Sequence, residues 1–148
     1  MATGAASGVF LDTNVLVYSA VAASPFNLAA RNAIANHEAA GTQLWISRQV
    51  VREYLAVLSR PQAMSAPQPL PILISDVQHF QSRFLVAEDG PNVTAELLRI
   101  IAPISIGGKR IHDANIVATM LAHGISMLLT NNPHDFGGFS NLIDIEPL

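Results

Sequence analysis

The sequence predicts an α/β fold: a central parallel sheet of about five strands, covered by helices on both faces. Three observations carry this prediction. Short runs of strand length alternate with longer segments whose apolar residues recur at helical spacing. The strand runs are apolar through their middles and do not alternate with polar residues, as expected of strands buried on both faces. The chain has 148 residues, half of them hydrophobic, which suits a single domain with one sizeable core.

Taken in order, residues 1–8 read as a loose N-terminal tail, without the basic and apolar regions of a signal peptide, and residues 9–148 as one domain. Val9–Leu11 is a buried strand that runs straight into a helix, with Asp12 or Thr13 as its N-cap. An alanine-rich helix follows from Asn27 to about Ala40, closed by Gly41 in the C′ position. Thr42–Ser47 is a strand, and Arg48–Arg60 is a helix stopped by Pro61. Prolines 61, 67, 69 and 71 break any regular element and make a loop between the two halves of the domain. Beyond it come a helix at Ser75–Arg83, a strand at Phe84–Ala87 and a helix at Val93–Ile101. The last elements are a helix at His112–Gly124, a strand at Ser126–Thr130 and an edge strand at Ile143–Ile145.

Composition narrows the chemistry. The absence of cysteine removes disulfides, thiolate metal sites and cysteine nucleophiles together, and fits a reducing cytoplasm. No apolar run approaches the roughly 18 residues of a membrane span. With 8 Lys and Arg against 11 Asp and Glu, the net charge of −3 provides no global field to attract a polyanion. Nucleic acid, if it is the substrate, must be handled locally, with metal ions supplying positive charge.

Four acids stand out against that background. Asp12 interrupts an apolar run at the carboxyl end of the first strand, where ligands bind in open parallel sheets; its plain alternative role is helix capping. Glu53 borders the apolar face made by Val50, Val51, Tyr54, Val57 and Leu58, and its plain alternative is a solvated carboxylate or a pair with Arg52 or Arg60. Asp113 falls within an apolar stripe of Ile116, Val117, Met120 and Leu121, where a merely solvated acid is out of place. Asp135 lies in the turn "TNNPHDF" after the fourth strand, although Asn-Pro is also an ordinary turn signal. A parallel sheet gathers all four at one edge. Crowded carboxylates repel unless protons or a cation are taken up, and an all-oxygen site suits Mg²⁺ or Mn²⁺. The five histidines read as surface or capping residues.

Three blocks, "FLDTNVLVY", "ISRQVVREYLAVLSRP" and "GGKRIHDANIVATMLAHGISMLLTNNPHDF", occur in an order and spacing similar to those of PIN-domain ribonucleases. In particular, the chain resembles the toxins of VapBC-type toxin–antitoxin pairs. The resemblance implies a three-layer domain around a five-stranded parallel sheet, one or two Mg²⁺ or Mn²⁺ ions and cleavage of RNA phosphodiester bonds. It further implies a homodimer neutralised by a small VapB-type antitoxin. Asp12, Glu53 and Asp113 match the family's invariant acids. The fourth position departs from the family pattern: Asn132 stands where many relatives carry an acid, and Asp135 is the later acid that other members carry.

The expected chemistry is metal-assisted hydrolysis. Asp12, Asp113 and Asp135 hold the ion, and Glu53 or Asp135 orients the attacking water. Arg48, Lys109 and Arg110 bind flanking phosphates, while Asn14, Ser47, Thr130 and Asn132 hydrogen-bond substrate or the carboxylates. The alternative is a catalytically degenerate PIN-like interaction domain. A phosphohydrolase using a covalent aspartyl intermediate is strongly disfavoured, because it needs a second aspartate where this chain has Asn14.

Overall fold

The computed structural model describes residues 8–148, so the expected N-terminal tail lies, apart from Gly8, outside the described residues. Five strands form one sheet: β1 (Val9–Leu11), β2 (Leu44–Ser47), β3 (Leu85–Ala87), β4 (Met127–Thr130) and β5 (Asp144–Pro147). Their order is β3-β2-β1-β4-β5 and every pairing is parallel. The chain adds strands to one side of β1 and then crosses to the other. That reversal, between β2–β1 and β4, leaves a crevice beyond the carboxyl ends of the central strands.

Position in the sheet follows composition. β1 is central, its residues Val9, Phe10 and Leu11 are buried, and Phe10 lies in register with Trp45 on one side and Leu128 on the other. β5 carries Asp144 and Glu146 and ends on a proline, which is tolerable only at an edge.

Among the described residues six α-helices flank the sheet: α1 (Thr13–Ala20), α2 (Asn27–Ala39), α3 (Arg48–Leu58), α4 (Leu70–Arg83), α5 (Pro91–Ile101) and α6 (Lys109–Ala122). α2 and α6 close on Gly41 and Gly124, both at positive φ (74° and 68°), a conformation that opposes a Cβ. The core joins Phe10, Leu11 and Leu128 of the sheet to Leu16, Tyr54, Leu58, Leu73, Ile116 and Met120 of the helices. Each such side chain contributes about 1.5–3 kcal/mol by leaving water. Tyr54 is fully buried because its hydroxyl finds Asp76 at 2.7 Å and its ring meets Phe80 edge-on at 5.0 Å.

The proline-rich segment differs from expectation at both ends. α4 begins at Leu70, five residues before the expected start at Ser75, and Pro71 lies inside its first turn. Proline is harmless there, since the first-turn N–H has no intrahelical partner and φ is already set. Pro91 starts α5 in the same way. Earlier in the loop, Gln62 and Ser65 form a small antiparallel bridge, so the stretch is not wholly irregular. α6 starts at Lys109, three residues before the expected His112. The turn after β4 is a 3₁₀ segment, Pro133–Phe139, anchored by buried Phe136 and Phe139.

Candidate active site

Asp12 leaves β1 in an extended conformation and caps α1, and the same residue lines the cleft described below. Its Oδ1 accepts the Thr13 N–H at 2.8 Å; its Oδ2 accepts the Thr130 hydroxyl at 2.7 Å and the Asn14 amide at 3.2 Å. Only 7% of the residue is exposed. Burial drives its carboxyl upward against the hydrogen bonds from Thr130 and Thr13, and the nearby Glu53 and Asp113 charges push the same way, to a pKa of about 6.

Asn14 and Thr130 clamp α1 to the end of β4. The Asn14 Oδ1 accepts the Asn131 N–H at 3.1 Å, and its Nδ2 also reaches Thr130 at 3.4 Å. The Asn132 N–H donates to the Thr130 Oγ1 at 3.0 Å. Thr130 is fully buried, so its hydroxyl serves the carboxylate and not a bound substrate.

Glu53 enters from α3 and is also held. The Thr13 hydroxyl donates to its Oε2 at 2.6 Å and the Gln49 amide to its Oε1 at 2.9 Å. Gln49 is fixed in turn: its Nε2 also donates to the His112 carbonyl, and its Oε1 accepts from Asn115, both at 2.9 Å. Thr13, Gln49 and Asn115 were not among the residues expected at the site. A signal existed for Gln49, which precedes Glu53 by four residues and therefore shares its helix face. Nothing in the local sequence marks Asn115.

Asp113 is the fifth residue of α6, one turn past the start, which removes capping as the reason for its presence. It is half-buried, and among the described residues its carboxylate accepts no hydrogen bond. Its pKa is raised, chiefly by burial, then by Asp135 and Glu53, against the pull of Arg110 and His112. Asp135 sits exposed in the 3₁₀ segment.

These four acids line one open cleft of about 340 Å³, together with Thr13, Asn14 and Asn132. They share a space without touching, and no three of the described His, Cys, Asp or Glu side chains form a preassembled ligand cage. A larger hollow of about 520 Å³ lies among α1, α2, α3 and α4; there Asp76 is engaged with Tyr54 and Arg83 with Glu38, while Arg31 and Asn32 line it without a partner among the described residues. The concentration of unpaired carboxylates is in the smaller cleft.

Two residues expected at the site are engaged elsewhere. Ser47 is buried and its Oγ accepts the Val50 N–H at 3.3 Å, capping α3; it does not line the cleft. Arg48 turns to Glu88, in a two-bond pair at 2.6 and 3.1 Å. Sequence proximity to the strand end suggested both residues, yet the cap and the ion pair decide where they point. Lys109 and Arg110 stand exposed in the first turn of α6, and Arg110 is close enough to act electrostatically on Asp113.

A family model described as the PIN domain matches residues 9–138. A protein named ribonuclease VapC48, from Mycobacterium tuberculosis, is 27% identical over 133 residues, covering 88% of this chain and 91% of that protein. Among solved structures, VapBC2 from Rickettsia felis, bound to a DNA fragment from its promoter, superposes with a TM-score of 0.64 at 20% identity, covering 95% of this chain and 98% of that one. VapC20 from Mycobacterium tuberculosis, described as a sarcin–ricin loop cleaving toxin, gives 0.63 at 14% identity, covering 95% and 100%. At these identities the structural likeness establishes the fold.

Proposed function

Since the chain belongs to the PIN-domain family, we propose that it is a metal-dependent endoribonuclease that hydrolyses RNA phosphodiester bonds, the toxin of a toxin–antitoxin pair. The observation that carries this reading is the cleft itself. Four carboxylates line it, two have pKa values raised by burial and mutual repulsion, and none is neutralised by a direct ion pair among the described residues. A degenerate interaction domain would have no reason to keep so costly an arrangement.

The donor set fits a hard divalent cation: carboxylate and amide oxygens, with no sulfur and no histidine in the lining. Asp12, Asp113 and Asp135 would hold Mg²⁺ or Mn²⁺. Bound there, the ion would neutralise the scissile phosphate and make a coordinated water more acidic. The chain's own groups do the rest. Glu53, fixed by Thr13 and Gln49, accepts the proton of the attacking water. Thr130 and Asn14 keep Asp12 aimed into the cleft. Lys109 and Arg110 contact flanking phosphates in a salt-sensitive way.

We also propose a homodimer and a VapB-type antitoxin as partner. Ile72 and Ile74 on α4 and Leu98 on α5 are more than half exposed, which supports protein-covered faces. A cytoplasmic setting fits the cysteine-free sequence. None of the described helices is long and apolar enough to cross a membrane.

The test is cleavage of single-stranded RNA by the purified chain at millimolar Mn²⁺ and in EDTA. Cleavage that appears only with metal is the expected result; cleavage in EDTA, or none at any metal concentration, would overturn the reading.

A further inference from the structure

Beside the acid cleft lies a second hollow, of about 280 Å³, lined by Val17, Tyr18, Val21, Ser24, Pro25, Phe26, Gln62, Ala63 and Met64. Val17, Tyr18 and Gln62 line both, so the two spaces share a wall. Their chemistry is opposite. The cleft holds four carboxylates, whereas the hollow is lined without any charged side chain.

The distribution of aromatic residues gives that hollow a meaning. The chain has nine Phe, Tyr and Trp residues, and six of them are buried: Phe10, Tyr54, Phe80, Phe84, Phe136 and Phe139. Trp45 sits half-buried on β2, beside His123. The remaining two, Tyr18 and Phe26, meet in this hollow with ring centroids 5.0 Å apart and planes tilted by 40°. Phe26 is 40% exposed, and it is the only exposed Phe, Tyr or Trp ring among the described residues. Gln62 adds a polar edge. Its Nε2 donates to the Val57 carbonyl at 2.6 Å and weakly to the Arg60 carbonyl at 3.4 Å, while its Oε1 accepts nothing from the described residues.

We infer that this hollow receives a nucleobase of the RNA strand, next to the phosphate held in the acid cleft, with Phe26 as the stacking surface and Tyr18 as the wall between the two. This rests on the RNA-cleavage reading above. A chain of net charge −3 with four acids in its cleft gains little from phosphate attraction, so base stacking becomes a principal source of substrate affinity. Stacking on an aromatic face needs an unpaired base, so the substrate class is single-stranded or looped RNA. The free Gln62 Oε1 is an acceptor for a base edge, which an apolar protein segment would not require.

The test compares Phe26→Ala, Phe26→Leu and Phe26→Trp with wild type, by anisotropy of labelled single-stranded RNA in EDTA and by cleavage kinetics in Mn²⁺. Phe26→Ala should weaken RNA binding and raise KM about tenfold, with kcat nearly unchanged. Phe26→Trp should bind at least as well as wild type, and Phe26→Leu should resemble the alanine variant because it lacks a π face. RNAs carrying one abasic site, moved through the positions flanking the cut, should lose the same factor at one position with wild type and nothing further with Phe26→Ala. Because the abasic series uses the wild-type chain, it decides the matter even if a variant misfolds. Unchanged RNA binding by Phe26→Ala, full rescue by Phe26→Leu, or an effect confined to binding of a protein partner would overturn the inference. Wild type that binds RNA in a Phe26-dependent way without cutting it would overturn the nuclease reading and leave the base site standing. Wild type that neither binds nor cuts RNA would overturn both.

Discussion

On one side of the acid cleft, Asp12 and Glu53 are held by five hydrogen bonds from Thr13, Asn14, Gln49 and Thr130. Across from them, Asp113 and Asp135 accept none from the described residues. The first pair is tied to β1, α1, α3 and β4, the most buried part of the molecule; the second sits on α6 and on a short 3₁₀ segment near the surface. Building one wall rigid and leaving the other unpartnered is sensible for a cation site. Fixed carboxylates set where the charge goes, and free ones turn to complete the coordination without breaking existing bonds. The two walls should therefore respond differently to the same substitutions.

The largest contrast concerns Asp113→Asn. With no hydrogen bonds to lose and similar volume, the variant should fold as wild type does, and removing one repelling charge should leave the apo protein equally or slightly more stable. RNA cleavage should nevertheless fall on the order of a hundredfold or more, because one negative charge directed at the ion is gone. Circular dichroism with cleavage rates at saturating Mn²⁺ checks both halves; a folded variant with wild-type rate removes Asp113 from the chemistry.

A second contrast is in pH dependence. Asp12 has a folded pKa of about 6 against an ordinary 3.8, so between those values the folded state binds a proton the unfolded state has released. The stability from this group is complete below about pH 4 and is lost as pH rises through 6, by at most about 3 kcal/mol. Asp113 works in the same direction. Glu38 and Glu88, held low by their arginine partners, work in the opposite one at the surface. In EDTA the protein should melt higher at pH 5 than at pH 7.5; flat behaviour across that range, in wild type and Asp12→Asn alike, would show that Asp12 is not burdened by burial.

The smallest of the three is Thr130→Val, which keeps the shape of a fully buried side chain but removes the donor to Asp12 and the acceptor for the Asn132 N–H. We expect a loss of about 1–3 kcal/mol in urea unfolding, larger at pH 7.5 than at pH 5, because the ionised carboxylate needs the bond more. An equal loss at both pH values would mean that the hydroxyl matters to packing and not to the charge.

The strands and acids were legible in the sequence for a common reason: both leave periodic or positional traces. Continuous apolar runs marked the inner strands, and an aspartate inside the stripe of Ile116, Val117 and Met120 had no bland explanation. What was missed depends on contacts distant in sequence. Asn115 reaches Gln49 across 66 residues, and no local pattern records that. The early start of α4 was hidden because Pro71 reads as a breaker everywhere except a helix's first turn. The start of α6 was hidden because Lys109 and Arg110 continue no apolar stripe. That Ser47 caps α3 and Arg48 pairs with Glu88 was not legible, because position along the chain does not give the direction of a side chain.

The central claim is that these four acids form a cation site, and a thermal melt tests it without depending on any RNA. At pH 7.5, millimolar Mn²⁺ should raise the melting temperature over that in EDTA by several degrees, since a ligand at 100 times its Kd stabilises by about 2.7 kcal/mol. The rise should shrink in Asp113→Asn. A melting temperature that does not move with millimolar Mn²⁺ or Mg²⁺ would contradict the account.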